Sequence, residues 1–160
     1  MIYLGADHAG FNLKENIKKF LKEIGEKFED LGDKEFDPTD DYPDYSYPVA
    51  KKVAETGERG ILFCGNAQGV CIVANKVNNI RAAVGSDEFV AKTSRTDDNS
   101  NILCLPGRVL TAEQAKKIVK TWLETEFSGA ERHLRRLKKI EKIEKDGTTS
   151  KSAVISKLKK

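Results

Sequence analysis

The sequence is short of the residues from which several protein classes are built. It has three cysteines, Cys64, Cys71 and Cys104, none at CxxC spacing, which argues against a disulfide scaffold and against a zinc ribbon. Its two histidines, His8 and His133, are far apart, and no HxxxH pair occurs. The carboxylate cluster Asp37, Asp40, Asp41 and Asp44 falls in a polar loop, where such runs are ordinarily solvated, so no metal site is expected. No apolar run approaches the roughly 20 residues that cross a bilayer. The N-terminus opens directly on the strand-like MIYLGA, without the charged-then-apolar order of a signal peptide, so a cytoplasmic location is expected. Neither GxGxxG nor a P-loop is present, which counts against a flavodoxin-like flavin or nucleotide protein. The expectation is an activity without a cofactor.

What is present is globular. The 160 residues, 39% apolar and 33% charged, suffice for one real core. The net charge of +3, from 28 basic and 25 acidic residues, has its surplus between Arg132 and Lys160. Those basic residues alternate with glutamates and lack an aromatic stacking platform, which suits a small acidic substrate better than a nucleic acid. Neither nucleic acid nor membrane is expected as a partner.

Short apolar runs alternate with helical periodicity about five times. Residues 2–6 read as a buried strand, followed by a helix with Leu13, Ile17, Phe20, Leu21 and Ile24 on one face. Lys27–Leu31 is a weaker strand. The long loop GDKEFDPTDDYPDYSYP leads to a helix carrying Val49, Ala50, Val53 and Ala54, and its length makes it a candidate for function. Gly60–Cys64 reads as a central strand, and the GNAQG turn after it opens a helix with Val73, Ala74 and Val77. Arg81–Val84 and Asn101–Leu105 are further strands, with a helix around Glu88–Arg95 between them. Thr111 and Gln114 form a capping box for the next helix, which Gly129 is expected to end. A last helix starts near Glu131 and presents Leu134, Leu137, Ile140 and Ile143 without a sheet to cover, which points to a second subunit. Residues 1–145 read as one domain and 146–160 as a loosely ordered basic tail.

Strand–helix alternation of this kind implies α/β architecture, a Rossmann-like, doubly wound parallel sheet of five strands. Ligands in such sheets bind beyond the carboxyl ends of the strands, where the strand order switches. Asp7 and His8, the segment Cys64 to Gly69, and Gly107 and Arg108 occupy those ends. Cys64, before a glycine-bearing turn into a helix, is either a small core residue or a thiolate base. Gly65 and Gly69 allow a sharp turn that aims N–H groups at an anion, although any tight strand-to-helix turn also uses glycine. Asp7 is either a helix cap beside an exposed His8 or one of a functional pair. Arg132 and Arg136, at i,i+4 spacing, form a solvated basic face or a planar-donor clamp for phosphate, to which Arg108 would add a third guanidinium.

The segments GADHAGFNLKE, DYPDY, CGNAQGVCIVANK, IRAA, SRTDDNSNIL, PGRV and ERHLRR, in this order over residues 1–145, resemble the ribose-5-phosphate isomerase B and galactose-6-phosphate isomerase subunit family. The resemblance implies a homodimer, or a dimer of dimers, whose active sites each use both subunits. It implies interconversion of ribose 5-phosphate and ribulose 5-phosphate through an enediolate. Cys64 matches the base and Gly65–Gly69 the anion hole; Asp7 and Tyr42 match sugar contacts. His8, Arg108, Arg132 and Arg136 match phosphate-binding positions, with Arg132 and Arg136 from the partner. Two departures stand out. The family's ring-opening histidine and the asparagine after it are here Asp97 and Asp98, and the loop that is typically CGTGxG has Asn66 and Ala67. Asp97 can accept the anomeric proton, but when ionised it cannot donate one to the ring oxygen. The competing readings are an isomerase of another sugar or sugar phosphate, and a non-catalytic sugar-phosphate-binding protein.

Overall fold

Continuous apolar runs of strand length, separated by amphipathic stretches, can only be buried on both faces, and that is how the chain folds. The computed structural model describes residues 1–149, with side chains through Gly147. Two units are present, Met1–Phe127 and a second beginning at Ser128. In chain order the elements of the first are β1 (Ile2–Ala6), α1 (His8–Glu23), β2 (Phe28–Asp30), α2 (Pro43–Thr56), β3 (Arg59–Cys64), α3 (Gln68–Ala74), β4 (Ala82–Val84), α4 (Glu88–Thr96), β5 (Ile102–Pro106) and α5 (Ala112–Glu124).

The strands form one parallel sheet in the order β2-β1-β3-β5-β4. Parallel neighbours require crossover helices, and alternate residues along each strand face opposite layers. Ile2, Leu4, Ala6, Ile61, Phe63, Leu103 and Leu105 pack against α1, α4 and α5 around Trp122. Tyr3, Leu62, Cys64, Ile102 and Cys104 pack against α2 and α3 through Val49, Val53, Val70 and Ala74. The doubly wound sheet expected from the sequence is therefore present, with the order reversing between β1 and β3.

The helix starts follow their sequence signals. Asp7 accepts from Gly10 N–H at 2.9 Å, Asp87 caps α4, and Thr111 and Gln114 complete the capping box of α5. The end of α5 differs from the expectation. It stops at Glu124, with Thr125 extended, five residues before Gly129. Arg59 Nη1 takes the Leu123 carbonyl at 2.7 Å and Arg95 Nε the Thr125 carbonyl at 3.1 Å. Both guanidinium groups lie over the Trp122 ring. Side-chain donors thus satisfy the last carbonyls, and no left-handed glycine is needed there.

In the second unit Gly129, at φ 63°, precedes α6 (Glu131–Thr149). His133 is buried, bonded through Nδ1 to Ser128 Oγ at 2.7 Å and accepting from Arg132 Nε at 3.0 Å. Leu134, Ile140 and Ile143 are exposed, at 44%, 40% and 69%. The helix takes in residues 146–149 of the segment expected as a tail; residues 150–160 lie outside the described residues. Among the described residues no helix is long and apolar enough to cross a membrane.

Candidate active site

Three chain segments converge beside the switch in strand order. Beyond the last β3–β5 pair, Gly107 N–H donates to the Cys64 carbonyl at 2.8 Å and Arg108 N–H to the Gly65 carbonyl at 3.1 Å. The sheet ladder thereby runs on into the loops and sets Arg108 beside the glycine turn. On the other side Asp7 N–H donates to the Phe63 carbonyl at 3.3 Å. Gly10 lets the first turn of α1 lie on the β3 backbone, because a Cβ there would stand 2.4 Å from the Phe63 carbonyl carbon. The result is a cavity of about 330 Å³ lined by Asp7, His8, Tyr42, Cys64, Gly65, Asn66, Gly69 and Arg108, together with Ala9 and Val109. That volume is at the small end of ligand sites.

Cys64 ends β3 with 4% exposure, its Sγ 4.0 Å from Asn66 Oδ1. The same Oδ1 accepts Gln68 N–H at 3.1 Å, which leaves Nδ2 as the donor end of the Asn66 amide. Ala67 holds φ 65° at the N-cap of α3, in the left-handed region that costs a non-glycine residue about 1 kcal/mol. It is buried and does not line the cavity. Gly69 makes room for Tyr42, whose ring would lie 2.8 Å from a Cβ at that position. Of the other cysteines, Cys104 is fully buried, which pushes its thiol well above the ordinary range, and it hydrogen-bonds with Cys71. Neither lines the cavity.

Asp7 is buried, and desolvation pushes its carboxyl above the ordinary range even though the Gly10 N–H and the nearby His8 work the other way. His8 is held by a residue that the sequence reading placed in a solvated cluster. Asp40 Oδ1 accepts from His8 Nδ1 at 2.6 Å and from the His8 backbone N–H at 3.0 Å. The Asp40 side chain is 2% exposed, and its Oδ2 has no hydrogen-bond partner among the described residues. The length of its loop was the available signal. That loop is itself anchored. Buried Lys14 donates to Asp30 at 2.8 Å and to the Asp33 carbonyl at 2.6 Å, and Tyr45 OH donates to Asp33 Oδ2 at 2.5 Å. The Asp33 carboxylate beside it raises the Tyr45 hydroxyl pKa.

The other candidates lie elsewhere. Asp97 ends α4 and accepts from Thr96 Oγ1 at 2.7 Å; Asp98 follows, exposed. Three residues after Asp98, Asn101 pairs with Arg81 and Gly60 at the amino ends of β4 and β3. Asp97 and Asp98 therefore sit at the sheet edge opposite the cavity, a strand's length from Cys64 of the same chain. Arg132 and Arg136 belong to the second unit, in the first turns of α6. Among the described residues no group of three or more His, Cys, Asp or Glu side chains is arranged to hold a metal ion.

A strand-end thiol, a buried carboxylate, an oriented imidazole and a guanidinium around one small cavity define a class: parallel α/β proteins equipped for proton transfer on a small anionic ligand. The family model described as Ribose/Galactose Isomerase matches residues 2–140, and the chain belongs to that family, whose members are aldose–ketose isomerases. The structure of ribose-5-phosphate isomerase B from Clostridium thermocellum superposes with a TM-score of 0.87 at 44% identity, covering 91% of this chain and 97% of that one. The Mycoplasma genitalium enzyme of the same name, with bound ribulose-5-phosphate, gives 0.86 at 42% identity over 90% and 95%. D-erythrulose-4-phosphate isomerase of Pectobacterium atrosepticum is 41% identical over 80% of this chain and 85% of its own. The chain is an isomerase of sugar phosphates.

Proposed function

We propose that the chain interconverts ribose 5-phosphate and ribulose 5-phosphate, with Cys64 as the base that carries the proton between C2 and C1. The open-chain aldose lies with C1 and C2 over Cys64. The thiolate removes the C2 proton, the electron pair forms the C1–C2 double bond, and the C1 oxygen becomes the enediolate oxygen. Backbone N–H groups of Gly65–Gly69 and the Asn66 amide hold that charge. Return of the proton to C1, with transfer of the O2 proton to O1, gives the ketose. Asp7 and Tyr42 hold sugar hydroxyls, and His8 and Arg108 take the phosphate. A second copy supplies Arg132 and Arg136, and Asp97 and Asp98 act at its neighbour's cavity. The working form is a cytoplasmic homodimer, covered in part by the apolar positions of α6.

The observation that carries this reading is that Cys64 is the cysteine lining the cavity, between the glycine turn and the Asp7–His8 strand end. Cys64→Ala should lower turnover by about two to four orders of magnitude with unchanged circular dichroism, since general-base removal commonly costs that much. Near-wild-type turnover would remove Cys64 from the role.

The Pectobacterium relative favours a second reading. The substrate it is named for has its C4 hydroxyl esterified, so its aldose form cannot close a furanose and needs no ring opening, which fits an aspartate at position 97. Assays with ribose 5-phosphate and D-erythrose 4-phosphate, in wild type and Asp97→His, separate the two. A gain confined to ribose 5-phosphate in the variant, with tetrose turnover already high in wild type, favours the tetrose.

A further inference from the structure

We propose that Asp40 is a positioning residue for His8, locking the imidazole with Nδ1 committed to the protein and Nε2 left for the substrate phosphate, so that phosphate enters together with a proton. The inference rests on the reading of His8 as a phosphate-binding residue. Its ground is geometric. Asp40 does not line the cavity, whereas His8 does, so the bond from Nδ1 to Asp40 Oδ1 fixes which ring nitrogen can meet a ligand. The second bond, from the His8 backbone N–H to the same oxygen, ties the carboxylate to the first turn of α1. With Nδ1–H donated to Asp40, Nε2 carries a hydrogen only in the imidazolium form. A neutral ring would turn a lone pair toward the phosphate.

Three carboxylates and one guanidinium surround the ring. Asp7 next to it on the chain, and Asp37 and Asp40 from the loop packed over it, each interact with His8, and Arg108 across the cavity is the opposing positive group. The Asp40 carboxylate is 2% exposed with Oδ2 unpartnered among the described residues, so the two His8 bonds to Oδ1 are what offsets its burial. Adding a phosphate dianion on the Nε2 side completes a carboxylate–imidazolium–phosphate chain.

The test uses the full chain, wild type and Asp40→Asn, which keeps an acceptor for the backbone N–H but removes the charge. Because His8 and His133 are the two histidines, the ¹⁵N imidazole spectrum is readily assigned with His133→Gln. Wild type should show Nδ1 protonated, and at pH 8 should take up a proton on binding inorganic phosphate, read by calorimetry in two buffers of different ionisation enthalpy. Asp40→Asn should lose that uptake and raise KM for the sugar phosphate about tenfold, with kcat within about twofold. A bare Nδ1 in wild type overturns the proposal even if the variant does not fold. Unchanged KM and proton uptake in Asp40→Asn, or a fall in kcat with KM unchanged, overturns it too. Failure of the isomerase reading shows separately, as wild type that binds phosphate yet turns over no sugar phosphate.

Discussion

Replacing Lys14 by methionine tests whether the buried cation beneath the Asp33–Asp40 loop secures both fold and site. Lys14 is fully buried and reaches both Asp30 oxygens, at 3.0 and 2.8 Å, and the Asp33 carbonyl at 2.6 Å. Methionine fills the stem's volume but removes the Lys14 ammonium from Asp30 and from that carbonyl. Removing one partner of a buried pair costs about 3–5 kcal/mol. Lys18 still holds Asp30 at 2.7 Å, so the low end, about 3 kcal/mol, is expected. For a chain of this size that is a fall in Tm of about 6–12 °C. Burial pushes the Asp30 carboxyl up, but the bonds from Lys14 and Lys18 outweigh it and hold the group below the ordinary range. A lowered carboxyl stabilises the fold above its unfolded pKa and loses that contribution as pH falls through the folded one. The gap between wild type and Lys14→Met should therefore persist from pH 7 to pH 5 and close below about pH 4. Urea denaturation at fixed protein concentration, with the double variant Lys14→Met/Asp30→Asn, completes the cycle. A single variant within 1 kcal/mol of wild type, or strict additivity in the double, would refute the reasoning.

Gly69→Ala puts a Cβ 2.8 Å from the Tyr42 ring, a movable side chain, so stability should change by less than about 1 kcal/mol while KM rises severalfold; an unchanged KM would separate Tyr42 from the substrate. Asp7→Asn keeps the helix cap, since asparagine caps as well as aspartate. Because burial raises the Asp7 carboxyl in the fold, its ionised form opposes folding at neutral pH, and the opposition vanishes once it is protonated. The variant should therefore melt above wild type at pH 7, lose that advantage in acid, and turn over at least about tenfold more slowly. A lower Tm at pH 7, or full activity, counts against it.

Much of the fold could be read in the chain because strand runs and helix stripes there obey one period each. Ile2, Leu4 and Ala6 against Tyr3 is a buried strand's alternation, and Leu13, Ile17 and Leu21 mark the α1 stripe that covers one side of it. The strand-end rule led from that pattern to Asp7, His8, Cys64, Gly69 and Arg108. Asp40 escaped because composition describes a cluster of acids as solvated, and only the tertiary path of the loop buries one of them against an imidazole. The end of α5 escaped for a related reason. Its caps come from Arg59 and Arg95, distant in sequence, while the glycine signal nearby serves the start of α6.

Apart from the left-handed Asn79 and Asn99, of a residue type that tolerates that backbone, the places where local rules are broken gather at one end of the sheet. Ala67 holds a left-handed backbone, Asp7 is a carboxylate pushed up by burial, and Asp40 carries a buried oxygen without a donor among the described residues. Elsewhere caps, alternation and buried pairs agree with one another, as at Thr111–Gln114 and Lys14–Asp30. Each exception is destabilising by itself, and they share no element: one follows β1, one lies in the long loop, one follows β3. What they share is the cavity, or the His8 and Asn66 side chains that line it. A common cause acting on separate segments is a ligand, since a bound anion reaches His8, Arg108 and the glycine turn at once and offsets there what the free chain leaves uncompensated.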